Sequence, residues 1–191
     1  MIYDVLVLHN LRRHIETLHR LDACNSAHGL RKSGFYSFHP LKIYLYEAAL
    51  LILFPKEPQD LQVSEIADPV PEPHEYLIAI KASAANFFDL LQIRGRYQHQ
   101  PPFPWISGSE FSGIVLKTPS APAKGRTSRY AVGDRVFGAG QGSYATKIAV
   151  PEDSLRLVPD GWSFSEAAGL FVTAPTSYAG LVIRAQIRNG A

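Results

Sequence analysis

The chain is poor in sulfur. It has one cysteine, Cys24, and one methionine in 191 residues. A single thiol excludes an internal disulfide and any cysteine-rich zinc site. Charge is also sparse: Asp, Glu, Lys and Arg make up 19% of the chain, against ~25% in an ordinary soluble domain. Neither sign dominates, with 19 basic residues against 17 acidic ones and a net charge of +2. That balance speaks against a nucleic-acid partner, which calls for a concentrated basic face. No apolar run reaches the ~20 residues that cross a bilayer. The most hydrophobic stretch, Leu41–Phe54, is shorter and carries Lys42 and Glu47, so it reads as a core element or an interfacial segment and no membrane span is expected. Met1–Leu8 is apolar, but Asp4 interrupts it and no basic region precedes it, which is unlike a secretory signal. Glycine is scarce early: of 14 glycines only Gly29 and Gly34 precede Gly95.

What is present is enough for a packed core: 46% hydrophobic and 11% aromatic residues. The distribution divides the chain near residue 45. Residues 1–45 hold five of the seven histidines and read as a poorly structured leader. His9, His14 and His19 are spaced by five, which puts successive side chains about 140° apart on a helix and not on one metal-binding face. Residues 9–39 are rich in Arg, His and Ser, with only Glu16 and Asp22 acidic. This is faintly like a mitochondrial presequence, the alternative to a cytoplasmic location.

From about residue 46 the punctuation becomes regular. Short strands are expected at Ala48–Leu53, Gln62–Ile66, Glu75–Lys81, Phe111–Lys117, Val132–Phe137, Tyr144–Val150 and Ser154–Val158, with Pro69, Pro71 and Pro73 forming an extended connector. Many short strands at close spacing predict a mainly β domain, a partly open β-barrel. Propensity and capping place helices only at the C-terminal end. Ser163 and Glu166 form a capping box opening a helix over residues 164–171. A second helix is expected from Thr173, with Pro175 in its first turn and Asn189-Gly190 as its stop. Gly140-Gln141-Gly142-Ser143-Tyr144-Ala145 matches the G-x-G-x-x-A dinucleotide fingerprint. That fingerprint works only when a helix opens after the glycines. Here an alternating, strand-like YATKIAV follows, so a tight turn into a strand is expected.

Several ordered motifs resemble the zeta-crystallin-like quinone oxidoreductases, zinc-free members of the medium-chain dehydrogenase/reductase superfamily. They are Asn86-Phe87-Phe88-Asp89, Arg94-Gly95-Arg96-Tyr97, Pro101-Pro102-Phe103-Pro104, Gly108-Ser109-Glu110-Phe111-Ser112-Gly113, Val132 to Gly138, Gly142 to Ala145, Phe164 to Ala168 and Val172 to Tyr178. The resemblance covers roughly residues 47–191. It implies an α+β whole with a GroES-like barrel over residues 46–171, a connecting helix over 172–191, and a Rossmann domain missing from this chain. Residues 1–45 have no counterpart in the family pattern. A truncated gene or gene model is the expectation at both boundaries.

The resemblance also implies chemistry. Zinc-dependent relatives carry a cysteine near the position of Asn86 and a Gly-His-Glu where this chain has Gly108-Ser109-Glu110. Neither replacement ligates zinc well, so no metal is expected. What remains is hydride delivery from NADPH to a quinone or an activated enone, a small-molecule substrate polarised by hydrogen bonds. In this reading the catalytic candidates are Asn86, Tyr97 and Asp89. Asn86 would meet nicotinamide and substrate, since its amide both donates and accepts. Tyr97 would offer a phenol or simply pack, and Asp89 would order the pocket or cap the short helix after Asn86. Thr176 joins Asn86 as a cofactor-binding candidate, and Glu110 would serve the barrel structurally. Whether these 191 residues act as an enzyme is left open: alone they are expected to be inactive, and a non-catalytic GroES-like binding or assembly module is the competing reading. Tyr178, Leu181, Val182 and Ile183 are expected on an exposed apolar face that favours self-association.

Overall fold

The computed structural model describes residues 5–6, 46–54, 57–122 and 127–188. Apart from residues 5–6, the expected leader lies outside the described residues. So do His9, His14, His19 and the helix stop at Asn189-Gly190.

Nine strands are described: β1 Val5–Leu6, β2 Tyr46–Ile52, β3 Val63–Ala67, β4 Glu75–Ala84, β5 Trp105–Ile106, β6 Glu110–Lys117, β7 Arg135–Ala139, β8 Lys147–Pro151 and β9 Leu155–Leu157. The larger sheet runs β1-β4-β6-β7-β9, with β8 also paired to β4, and the smaller runs β3-β2-β5. All of these pairings are antiparallel. The segment leading into β8 ties the two sheets together. Ala145 bridges to Ala49, Leu50 N–H donates to the Tyr144 carbonyl at 2.9 Å, and Ile80 N–H donates to the Thr146 carbonyl at 2.9 Å. The result is the partly open barrel expected from the strand spacing.

Its interior follows the pleat. In β4, Tyr76, Ile78 and Ile80 point inward at alternate positions, and they meet Phe111 and Val115 of β6, Val136 of β7, and Ile148 and Val150 of β8. Tyr130 joins this core, with its ring edge against Tyr76 at 5.6 Å and its hydroxyl donating to the Leu155 carbonyl at 2.7 Å. A second cluster, Ile52, Ile93 and Trp105, sits under the smaller sheet.

The boundaries differ from the sequence expectation in instructive ways. Helices are not confined to the C-terminal end, where propensity put them: α1, Phe87–Ile93, follows β4, the short helix after Asn86 that the resemblance implied. It carries no strong propensity signal of its own and is fixed by burying Ile93 against Ile52 and Trp105. The strand expected from Val132 begins only at Arg135. Val132–Asp134 is a tight turn, with Gly133 at φ 95° and Asp134 N–H donating to the Ala131 carbonyl at 3.1 Å. Ser163 and Glu166 do form the capping box of α2, but α2 spans only Phe164–Ala167. The second helix divides into α3, Thr173–Tyr178, and a wider π-helical turn, Ala179–Arg184. The helix therefore ends well short of Asn189. Gln186, at φ 51°, marks the break.

Candidate functional site

β4 hands the chain to α1 at Asn86, which takes the helix N-cap in extended backbone, φ −109° and ψ 152°. The cap is built by Asp89, whose Oδ2 accepts from the Asn86 backbone N–H at 2.8 Å. Asn86 and Asp89 form a reciprocal capping box, and the Asn86 amide nitrogen is available to other partners. Its Nδ2 donates to Glu110 Oε1 at 3.0 Å. Register explains the meeting: Glu110, the first residue of β6, pairs with Ala84 near the end of β4.

Asp89 is 1% exposed. Besides the Asn86 N–H it accepts from the Tyr144 hydroxyl at 2.9 Å and from the Ser109 hydroxyl. Burial raises its pKa above the usual 3.8. The bonds from Ser109, Asn86 and Tyr144 oppose that rise, and the Glu110 charge adds to it. The Tyr144 phenol is pushed up as well, by burial first and then by the Asp89 charge. Gly108 permits this packing: at φ 93°, a Cβ there would collide with the Tyr144 ring and the Ser143 hydroxyl.

Glu110 is fully buried and gathers three donors. Asn86 Nδ2 and Thr173 Oγ1 reach Oε1, the latter at 2.7 Å, and the Val172 N–H reaches Oε2 at 2.9 Å. None of these is a cation. The Thr173 hydroxyl also lies 3.0 Å from Asn86 Oδ1. It has one proton for two acceptors, and the carboxylate is the nearer. Asn86 thus keeps a second Nδ2–H and acceptor capacity on Oδ1, enough to orient a carbonyl or carboxamide. Among the described residues no three His, Cys, Asp or Glu side chains converge as a metal site.

The other candidates are placed elsewhere. Tyr97 packs its ring on Phe88 at 5.4 Å, the packing alternative weighed from sequence. The Thr176 hydroxyl donates to the Val172 carbonyl at 2.8 Å on its own helix. Asn86 and Asp89 are brought together; Tyr97 and Thr176 make no described hydrogen bond to either. Sequence reasoning did not give Ser109, Tyr144 or Thr173 a place here. Ser109 was legible as a replaced metal ligand, and Tyr144 as a step of a strand alternation and a member of the Gly142 to Ala145 motif, neither with a role at the site. Gly140–Ala145 turns into the β8 lead-in with Gly142 at φ 102°, and no helix follows.

Residues 72–160 match the alcohol dehydrogenase GroES-like domain. That stretch is a GroES-like domain of the alcohol dehydrogenase type. The chain is similar to the N-terminal portions of quinone oxidoreductase-like and VAT-1 homolog proteins. It is 34% identical over 115 residues to a quinone oxidoreductase-like protein 2 homolog of Nematostella vectensis, a match covering 59% of this chain and 30% of that one. Among solved structures it resembles the human synaptic vesicle membrane protein VAT-1 homolog-like protein at 30% identity and a TM-score of 0.67, covering 76% of this chain and 45% of that one. Escherichia coli quinone oxidoreductase complexed with NADPH aligns at 29% identity and a TM-score of 0.63, covering 72% and 41%. The chain spans about a third of the length of the curated relatives it matches. Among the described residues no helix is long and apolar enough to cross a membrane.

Proposed function

We propose that this GroES-like portion is the catalytic side of an NADPH-dependent oxidoreductase that reduces a quinone or an activated enone without a metal. The carrying observation is Asn86. Its side chain is almost buried and oriented by Glu110, yet it keeps one N–H for a carbonyl oxygen. When bound, the nicotinamide supplies the hydride. Asn86 supplies orientation and a hydrogen bond to developing charge on the acceptor oxygen. Asp89 holds Asn86 in place through its backbone. In this reading Tyr97 contributes packing through Phe88 and Thr176 is the further cofactor-side candidate. Residues 46–171 are the catalytic-side domain in this reading, 172–191 connect onward to the nucleotide-binding part, and 1–45 are a leader outside the family pattern.

The amide of Asn86 is the group offered to the nicotinamide end of the cofactor. The one glycine fingerprint turns into a strand, and no helix N-terminus stands behind it for a pyrophosphate. The 191-residue chain is therefore expected to be inactive alone. Titrating it with NADPH, followed by fluorescence and by quinone-dependent oxidation, should show no saturable signal. A protein extended by the genomic sequence past Ala191 should oxidise NADPH with a quinone or enone. Saturable micromolar binding with turnover by the short chain refutes the division of labour. An extended protein that binds NADPH and reduces neither acceptor class refutes the reaction.

One observation favours the alternative, a non-catalytic binding module that self-associates. Tyr178, Leu181, Val182 and Ile183 are all exposed on the C-terminal helix and its π turn.

A further inference from the structure

Glu110 poses a physical problem. It is fully buried and its described partners are three neutral donors, with no cation among them. Burying a carboxylate costs several kcal/mol, and an apolar residue of the same size often serves stability as well or better. The charge is better explained by what it orients. Its two oxygens divide their work between two parts of the chain. Oε1 takes the side chain of Asn86, at the turn from β4 into α1, and the hydroxyl of Thr173. Oε2 takes the backbone N–H of Val172, the N-cap of α3. That cap has no side-chain bond of its own; Glu110, from another strand, takes the N-cap's own backbone N–H, the half of a capping box that an N3 carboxylate would otherwise supply.

We infer that Glu110 is a positioning residue that sets the Asn86 amide and the start of the C-terminal helix relative to one another. The inference rests on Asn86 being the substrate-orienting group. It adds that the helix leading out of the barrel and the substrate-facing amide are registered by one carboxylate. A neutral amide cannot reproduce this. In Glu110→Gln, Oε1 can still accept from Asn86 and Thr173. Nε2 then faces the Val172 N–H, donor against donor. Keeping the Val172 bond instead turns Nε2 toward Asn86 Nδ2. Either orientation abandons one side.

The test needs neither NADPH nor quinone, so its failure is distinguishable from failure of the proposed reaction. In the isotope-labelled 191-residue chain, the Asn86 side-chain protons are identified by their disappearance in Asn86→Ser. Glu110→Gln is expected to speed exchange of the Val172 amide or the Asn86 side-chain protons at least about tenfold, the loss of one charge-assisted hydrogen bond. The Asn86 side-chain resonances should shift, while exchange at Ile78 and Val115 in the barrel core stays unchanged. Equal acceleration at Val172, Asn86 and the core means a merely structural role and overturns the inference. Unchanged exchange at both Val172 and Asn86 overturns it too. Should Glu110→Gln fail to fold, Thr173→Val carries the test. It removes one donor to Oε1 and must shift the Asn86 side-chain resonances; unmoved resonances overturn the inference.

Discussion

Tyr144→Phe removes the phenol's bond to Asp89, the shortest that its hydroxyl donates, with almost no change in shape. The phenol is buried, and its hydroxyl donates to Asp89 Oδ2 at 2.9 Å. The magnitude depends on whether Asp89 is charged. A bond to a neutral carboxyl contributes about 0.5–1.5 kcal/mol, and one to a carboxylate about 1.5–3 kcal/mol. Asp89 titrates higher in the folded chain than its ordinary 3.8. The native state therefore holds a proton that the unfolded state has released. Stability from this group is fully present below the unfolded pKa and is lost as pH rises through the folded one. Tyr144 favours the ionised form, so its removal should cost little in acid and more once Asp89 ionises. For a chain of this length each kcal/mol moves Tm by about 2–4 °C. Denaturant melts of both proteins, at about pH 4 and about pH 8, give the difference directly from this linkage. The expected loss roughly doubles at the higher pH. A loss that is equal at both values, or larger in acid, refutes the reasoning that the phenol stabilises a buried carboxylate.

The remaining predictions concern the barrel and the exposed helix. Gly113→Ala should destabilise by at least about 1–3 kcal/mol, because the new Cβ collides with the Ala79 carbonyl on the paired strand, a backbone atom that cannot swing away; an unchanged denaturation midpoint would contradict the β4–β6 pairing. Gly133→Ala meets nothing within 4 Å and is strained only by its φ of 95°, so it should cost less than Gly113→Ala in the same melt, by the ~1 kcal/mol scale of such strain. Leu181→Ser with Ile183→Ser should lower self-association seen by light scattering while leaving Tm nearly unchanged, since both side chains are exposed. A dispersed, monomeric parent chain would remove the basis for that reading.

The strand pattern and the turn chemistry are local, and both were legible. Tyr76, Ile78 and Ile80 alternate in the sequence as they do in the barrel interior. The Ser163–Glu166 capping box needs only three residues of separation. The strand that follows Gly142 could be read because its alternation excluded a helix. Other features were fixed by contacts distant in sequence. α1 was implied by the resemblance, and its cap, Asn86 with Asp89, is local; its burial of Ile93 against Ile52 and Trp105 is set by contacts distant in sequence. Ending the C-terminal helix at Arg184 was invisible, since Asn189-Gly190 is the stronger stop signal by composition.

The candidate site shows the same division. By itself the sequence determined the residue types: Asn86, Asp89 and Glu110, each within a motif, and a serine where zinc-binding relatives carry histidine. It could not determine which of them act on which. The pairing of Ala84 with Glu110, with a register shift between Ile80 and Ala82, decided that Glu110 faces Asn86. The return of the chain from β9 through α2 decided that Val172 and Thr173 reach the same carboxylate. Hydrogen bonds are satisfied within about 3 Å, whereas these partners are separated by 24 to 63 positions in the chain. Periodicity and propensity act over a few residues, so only strand register and packing could bring them together.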